Sequence, residues 1–219
     1  MILFQLTTSK LRETDSKWRS TINRFRGPVP PGLGIAHIVA LSNGVEDPAP
    51  RDPRTRPIGL TQVPTRAGRA LGYKEADLKK PGNNIYAWAA KTNQDAVALH
   101  QAYPQSWTKA GYDFWLTVHL YFLMTTAFYA LMLASDATST TDGVIGALTA
   151  WVRNSMQETQ RFGTFSTKDL RRIVDHLDSM RTALVTLDGP DKSVSTTFGA
   201  EVTTNPGSVM DVLKTTAGT

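Results

Sequence analysis

Apolar and polar positions divide the chain into a short leading arm, a long region of mostly helical periodicity and a polar tail. In the arm, residues 1–27, Trp18, Ile22 and Phe25 recur at helical spacing among charged side chains, which predicts a short amphipathic helix that docks on something. Gly27 to Gly34 (GPVPPGLG) is expected to be a linker, because prolines lack the amide donor and fix φ. Ile35 to Ser42 is an apolar run too short for periodicity to choose between buried helix and strand. Asp47 to Pro57, with Pro48, Pro50, Pro53 and no apolar period, is expected to be a loop of the kind that carries function in compact domains. Ile85, Trp88, Ala89, Val97 and Leu99 predict a helix over 84–101, capped by Asn83 and Asn84 and broken at Pro104.

Phe114 to Ala134 carries no formal charge and is close to the ~20 residues that span a bilayer. Thr117, His119, Thr125 and Thr126 within it, and acids at its ends (Asp113, Asp136) in place of a basic flank, point instead to a central buried helix. Val144, Leu148, Trp151, Val152 and Met156 make the apolar face of a further helix, with Gly163 as a left-handed cap. Ser166 and Asp169 resemble a capping box ahead of Leu170, Ile173, Val174, Leu177, Met180 and Leu184, a long amphipathic helix. Residues 189–219, rich in Thr, Ser and Gly, are expected to form an extended tail ordered only by neighbouring chains. The expected class is mainly α: a basic N-terminal arm (1–27), a helical domain (28–188) and a C-terminal tail (189–219).

Composition narrows the chemistry. A length of 219 residues favours one domain with extensions over two full domains. With no cysteine, disulfides, thiol catalysis and cysteine-ligated metals are excluded. The histidines (His37, His100, His119, His176) form no H-x-x-x-H pair, so no metal and no cofactor is expected. The formal charge of +5 suits an anionic partner such as nucleic acid, a lipid surface or cell-wall polymer, and by itself chooses none of them. The basic side chains gather in the arm (Lys10, Arg12, Lys17, Arg19, Arg24, Arg26) and in a loop region (Arg51, Arg54, Arg56, Arg66, Arg69), where the simplest reading is a solvated surface. The start MILFQLTTSK has neither the apolar stretch nor the cleavage site of a secretory signal, so export by that route is not expected.

The chemistry-bearing segment consists of three blocks: ALSNGVEDP (Ala40–Pro48), GLTQVPTRA (Gly59–Ala67) and ADLKKPGNNI (Ala76–Ile85). Their order and spacing resemble the soluble lytic transglycosylases, a lysozyme-like family that reads approximately A-x-x-E-S-x-x-N-P, G-L-M-Q-I-M-P-x-T-A and D-L-x-x-P-x-x-N-I. Ala40, Gly44, Asp47 and Pro48 match the first block, Gly59, Leu60 and Gln62 the second, and Asp77, Leu78, Pro81, Asn84 and Ile85 the third. Asn43 then stands where the family carries its catalytic glutamate. Spacing around the second block departs by a residue on either side, and the family's later A-Y-N-A-G segment has no counterpart.

The resemblance implies a lysozyme-like helical domain whose sugar groove would be lined by Gly59, Leu60, Gln62 and Asn84. Glycoside cleavage needs a carboxylic acid to protonate the leaving oxygen, and an asparagine amide donates a hydrogen bond without transferring the proton. Losing general acid catalysis costs ~10²–10⁴-fold, so the resemblance implies a degenerate enzyme. It also suggests a structural or binding protein of a phage particle linked to cell-wall penetration, with other virion chains as partners and peptidoglycan as a ligand. The rival is an active muramidase or transglycosylase in which Glu46, three residues on and on the same face if the segment is helical, supplies the acid. A third reading makes Phe114–Ala134 a membrane span, and a nucleic-acid role rests on charge alone. Trp88, Trp107, Trp115 and Trp151 could stack on sugars, although aromatics at helical spacing are more often core, and His119 reads as a satisfied core residue.

Overall fold

Pro31, the first residue of a helix, needs no hydrogen-bonding partner for an amide it lacks, and its ring holds φ at a helical value. From it runs α2 (Pro31–Ser42), buried from Gly32 to Ser42, which settles the Ile35–Ser42 run as helix. The expected linker is therefore shorter than the sequence suggested, because Gly32 and Gly34 lie inside the helix. Gly34 permits close packing: a Cβ there would come within 2.9 Å of the Trp88 ring and 3.1 Å of Ile22.

The computed structural model describes residues 3–50, 56–102, 111–124, 161–162 and 165–191. They are mainly helical. α1 (Thr8–Phe25) precedes α2 and packs on it, burying Leu11, Thr14, Ile22 and Phe25. The docking face thus begins at Leu11, about two turns before Trp18, which is only part-buried. After α2 comes a hairpin of β1 (Pro57–Ile58) and β2 (Val63–Pro64), antiparallel with Ile58 opposite Val63. Two short helices follow, α3 (Thr65–Ala70) and α4 (Glu75–Leu78), and then α5 (Pro81–Ala102).

α5 starts at Pro81, before the Asn83–Asn84 pair expected to cap it. Proline again suits the first helical turn, and the Asn84 amide already donates to the Lys80 carbonyl at 3.0 Å. Asn84 is consequently a helix-interior residue, and its side chain is free for another task.

α6 (Tyr112–Met124) buries Phe114 to Leu120 and Phe122. Among the described residues no helix is long and apolar enough to cross a membrane; residues 125–134 of the uncharged run lie outside them. β3 (Arg161–Phe162) and β4 (Phe165–Ser166) form a second antiparallel pair, leading into α7 (Thr167–Asp188). The capping box is present: the Asp169 amide donates to Ser166 Oγ at 3.2 Å, and the Ser166 amide to Asp169 Oδ2 at 3.4 Å. α7 buries Leu170, Val174, Leu177, Met180 and Leu184 as its periodicity predicts, whereas Ile173 is part-buried. The expected helix at Val144–Met156, the Gly163 cap, Pro104, Trp107, Trp151 and tail residues 192–219 lie outside the described residues.

Among the described residues, those up to Gln94 with Ala183–Gly189 form one compact unit, and Asp95 to Thr182 with Pro190 and Asp191 form another. The first unit is centred on Ile22, Leu33, Ile35, Ile38, Leu60, Leu78, Ile85 and Trp88, all essentially inaccessible to solvent. Each such aliphatic side chain contributes ~1.5–3 kcal/mol of transfer free energy. The second contains Phe114, Leu116 and Leu177 in its interior.

Candidate functional site

The hairpin loop Gly59–Gln62 is held against two helices by polar side chains that the core contains for no other evident purpose. Asn84, fully buried in the first turn of α5, donates from Nδ2 to the carbonyls of Ile58 and Leu78, each at 2.9 Å. Its Oδ1 accepts the Thr61 amide at 2.6 Å and the Thr61 hydroxyl at 2.7 Å. Both amide hydrogens and both oxygen lone pairs are thereby used, the full capacity of the side chain. From α2, His37 Nε2 donates to the Thr61 carbonyl at 2.9 Å, which fixes that ring nitrogen as protonated. Thr61 is thus gripped at amide, hydroxyl and carbonyl.

Gly59 and Gln62 close the loop. Gly59 has φ 74°, and a Cβ there would lie 2.4 Å from both Asn84 Nδ2 and the Leu78 carbonyl oxygen. The Gly59 carbonyl accepts both the Gln62 amide and Gln62 Nε2 at 3.0 Å, while Gln62 itself sits at φ 49°. Gln62 is only 4% exposed, and among the described residues its Oε1 has no hydrogen-bond partner. Leu60 is fully buried. Of Gly59, Leu60, Gln62 and Asn84, Gln62 is accordingly the one whose side chain retains an unengaged polar atom.

Asn43 ends α2 in the left-handed conformation, φ 52° and ψ 29°, which asparagine tolerates better than most residues. It lies six residues beyond His37 on the same helix, ~9 Å along its axis. The segment beyond turns away: Glu46 is not helical, its side chain is 48% exposed, and its Oε1 lies 2.9 Å from Lys17 Nζ. The helical same-face relation expected to bring Glu46 beside Asn43 therefore does not apply, because α2 stops at Ser42. The next acid, Asp47, pairs with Lys79 at 2.8 Å, joining the first block to the third; this pairing raises the Lys79 pKa above its ordinary value.

The tryptophans of α5 and α6 are core: Trp88 is 1% and Trp115 2% exposed. His119 is also buried, facing His176 with Nε2 atoms 3.0 Å apart. Among the described residues no group of three or more His, Asp or Glu side chains converges on a point that could hold a metal ion. The sequence singles out the Gly59–Gln62 loop but not the side chains that grip it. His37, a polar residue inside an apolar run, was the one available signal.

No family model, no curated protein and no solved structure matches the chain.

Proposed function

We propose that the chain is a catalytically degenerate, lytic-transglycosylase-like structural or binding protein with a lysozyme-like helical domain, and that it serves in a phage particle at the step of cell-wall penetration. The observation that carries the reading is the convergence of the three sequence blocks. Asn84 of the third grips Thr61 of the second, and the helix that supplies His37 to the same residue ends at Asn43 of the first.

Asn43 offers an amide where cleavage needs a transferable proton. Glu46 pairs with Lys17 at the surface, beyond the end of α2. Gln62 is buried with its Oε1 unengaged among the described residues, so it shapes the loop from within and presents no polar atom at the surface. Neither metal nor cofactor enters this reading. The virion setting and its partner chains come from the resemblance alone.

Freshly purified protein incubated with insoluble peptidoglycan should cosediment with it and release no soluble muropeptides. Release that disappears on Asn43→Ala or Glu46→Gln substitution would instead establish an active enzyme and overturn the reading.

A further inference from the structure

Asn43 is followed by Gly44, the only Asn–Gly pair in the sequence. The fold places this pair where a helix ends and the chain turns outward: Asn43 is part-buried at φ 52°, Gly44 is part-buried at φ 78°, and Val45 is 53% exposed. The Asn43 backbone amide donates to the Val39 carbonyl at 3.0 Å, but among the described residues its side-chain amide makes no hydrogen bond. The Gly44 amide is restrained by a single bond to Ser42 Oγ at 3.2 Å. Glycine leaves that nitrogen unshielded and allows the large backbone rotation needed to swing it toward a neighbouring side chain.

We propose that Asn43 is a site of spontaneous deamidation. The Gly44 backbone nitrogen, losing its proton to water, attacks Cγ of Asn43; a new N–Cγ bond closes a five-membered imide as the Cγ–Nδ2 bond breaks and ammonia departs. One water molecule then opens the ring. Cleavage of the N–Cγ bond yields aspartate, and cleavage at the main-chain carbonyl yields isoaspartate with a free α-carboxyl group. No oxidant, metal or enzyme is required.

Lys10 Nζ lies 3.7 Å from the position a Gly44 Cβ would occupy and pairs with Glu13 at 2.9 Å. The barrier is local: ψ of Asn43 must leave 29° and the Gly44–Ser42 bond must open. The product places a carboxyl group at the position where the resemblance puts the family's acid, one methylene shorter, and lowers the net charge of +5 by one. The chemistry depends only on Asn43 and Gly44, so failure of the glycan reading in the peptidoglycan assay leaves it intact.

The test is to hold the folded full-length protein at mildly alkaline pH and follow each asparagine by peptide mapping. Conversion of Asn43 to a mixture of aspartate and isoaspartate, ahead of Asn23, Asn83, Asn84 and Asn93, is the expected result, and an Asn43→Gln variant should lose this first conversion. Retention of the Asn43 amide in the folded protein, under conditions where the denatured chain loses it, would overturn the proposal.

Discussion

The Asn84 side-chain oxygen accepts both the amide and the hydroxyl of Thr61, at 2.6 and 2.7 Å, across a separation of 23 residues. Removing it strands several groups together: the Thr61 amide and the carbonyls of Ile58 and Leu78 all lose their partner in a buried setting. Asn84→Ala should therefore lower stability by ~3–5 kcal/mol, read as a fall in the urea midpoint. Asn84→Asp, nearly identical in shape, should also destabilise, because a carboxylate cannot donate to two carbonyls. A wild-type midpoint for Asn84→Asp would show that the donor half of this arrangement contributes nothing.

Two glycines with similar backbone angles make a paired experiment. Gly59 (φ 74°) has no room for a Cβ, whereas Gly72 (φ 84°) has nothing within 4 Å of one. Gly72→Ala should cost only the left-handed backbone penalty, ~1–2 kcal/mol. Gly59→Ala adds a collision with Leu78 and Asn84, so it should lose several times more and disturb the loop. Equal costs, measured by thermal or urea unfolding, would contradict the close approach.

The N-terminus of α2 is closed by a residue from the far end of α7. Asp188 Oδ2 accepts the Gly32 amide at 2.7 Å, and its Oδ1 accepts Arg19 Nη1 at 3.0 Å. A carboxylate there satisfies an orphan amide and opposes the positive end of the helix dipole. Asp188→Ala should cost ~1–3 kcal/mol, and Asp188→Asn less, since the amide oxygen can still cap α2. The measurement is the difference in unfolding midpoint between the two variants, and a greater loss in Asp188→Asn would argue against a capping role.

Acid should weaken the protein through His176. Burial depresses its pKa from 6.5 to about 4, so between those values the unfolded chain takes up a proton that the folded chain refuses. Stability from this group is fully present above the ordinary histidine range and is lost as pH falls toward about 4, by up to ~3 kcal/mol. His119, whose Nε2 faces it at 3.0 Å, fits a pair in which one ring donates and the other accepts, and a proton on both would break that arrangement. Unfolding midpoints for the wild type should fall more steeply with acid than those of His176→Gln. Parallel curves would remove His176 as the cause.

Much of the helical architecture was legible in the chain. The heptad-like burial of α7 and its Ser166–Asp169 cap follow from short-range rules, since a side chain three residues on is a neighbour in any helix. Motif order singled out Gly59–Gln62 and Asn84, but not the contacts they make. Asn84 looked like a cap because local rules see only its own helix, and Glu46 looked like a companion of Asn43 because nothing nearby announced that α2 would stop at Ser42.

Sequence alone determined the periodic faces and the Asn43–Gly44 step. Tertiary structure decided which polar groups would meet: Asn84 with Ile58, Thr61 and Leu78, His37 with Thr61, and Asp188 with Gly32. The reason is physical. Helical periodicity is imposed by covalent geometry within a few residues, whereas a buried donor finds its acceptor only after segments far apart in the chain have been brought together by packing.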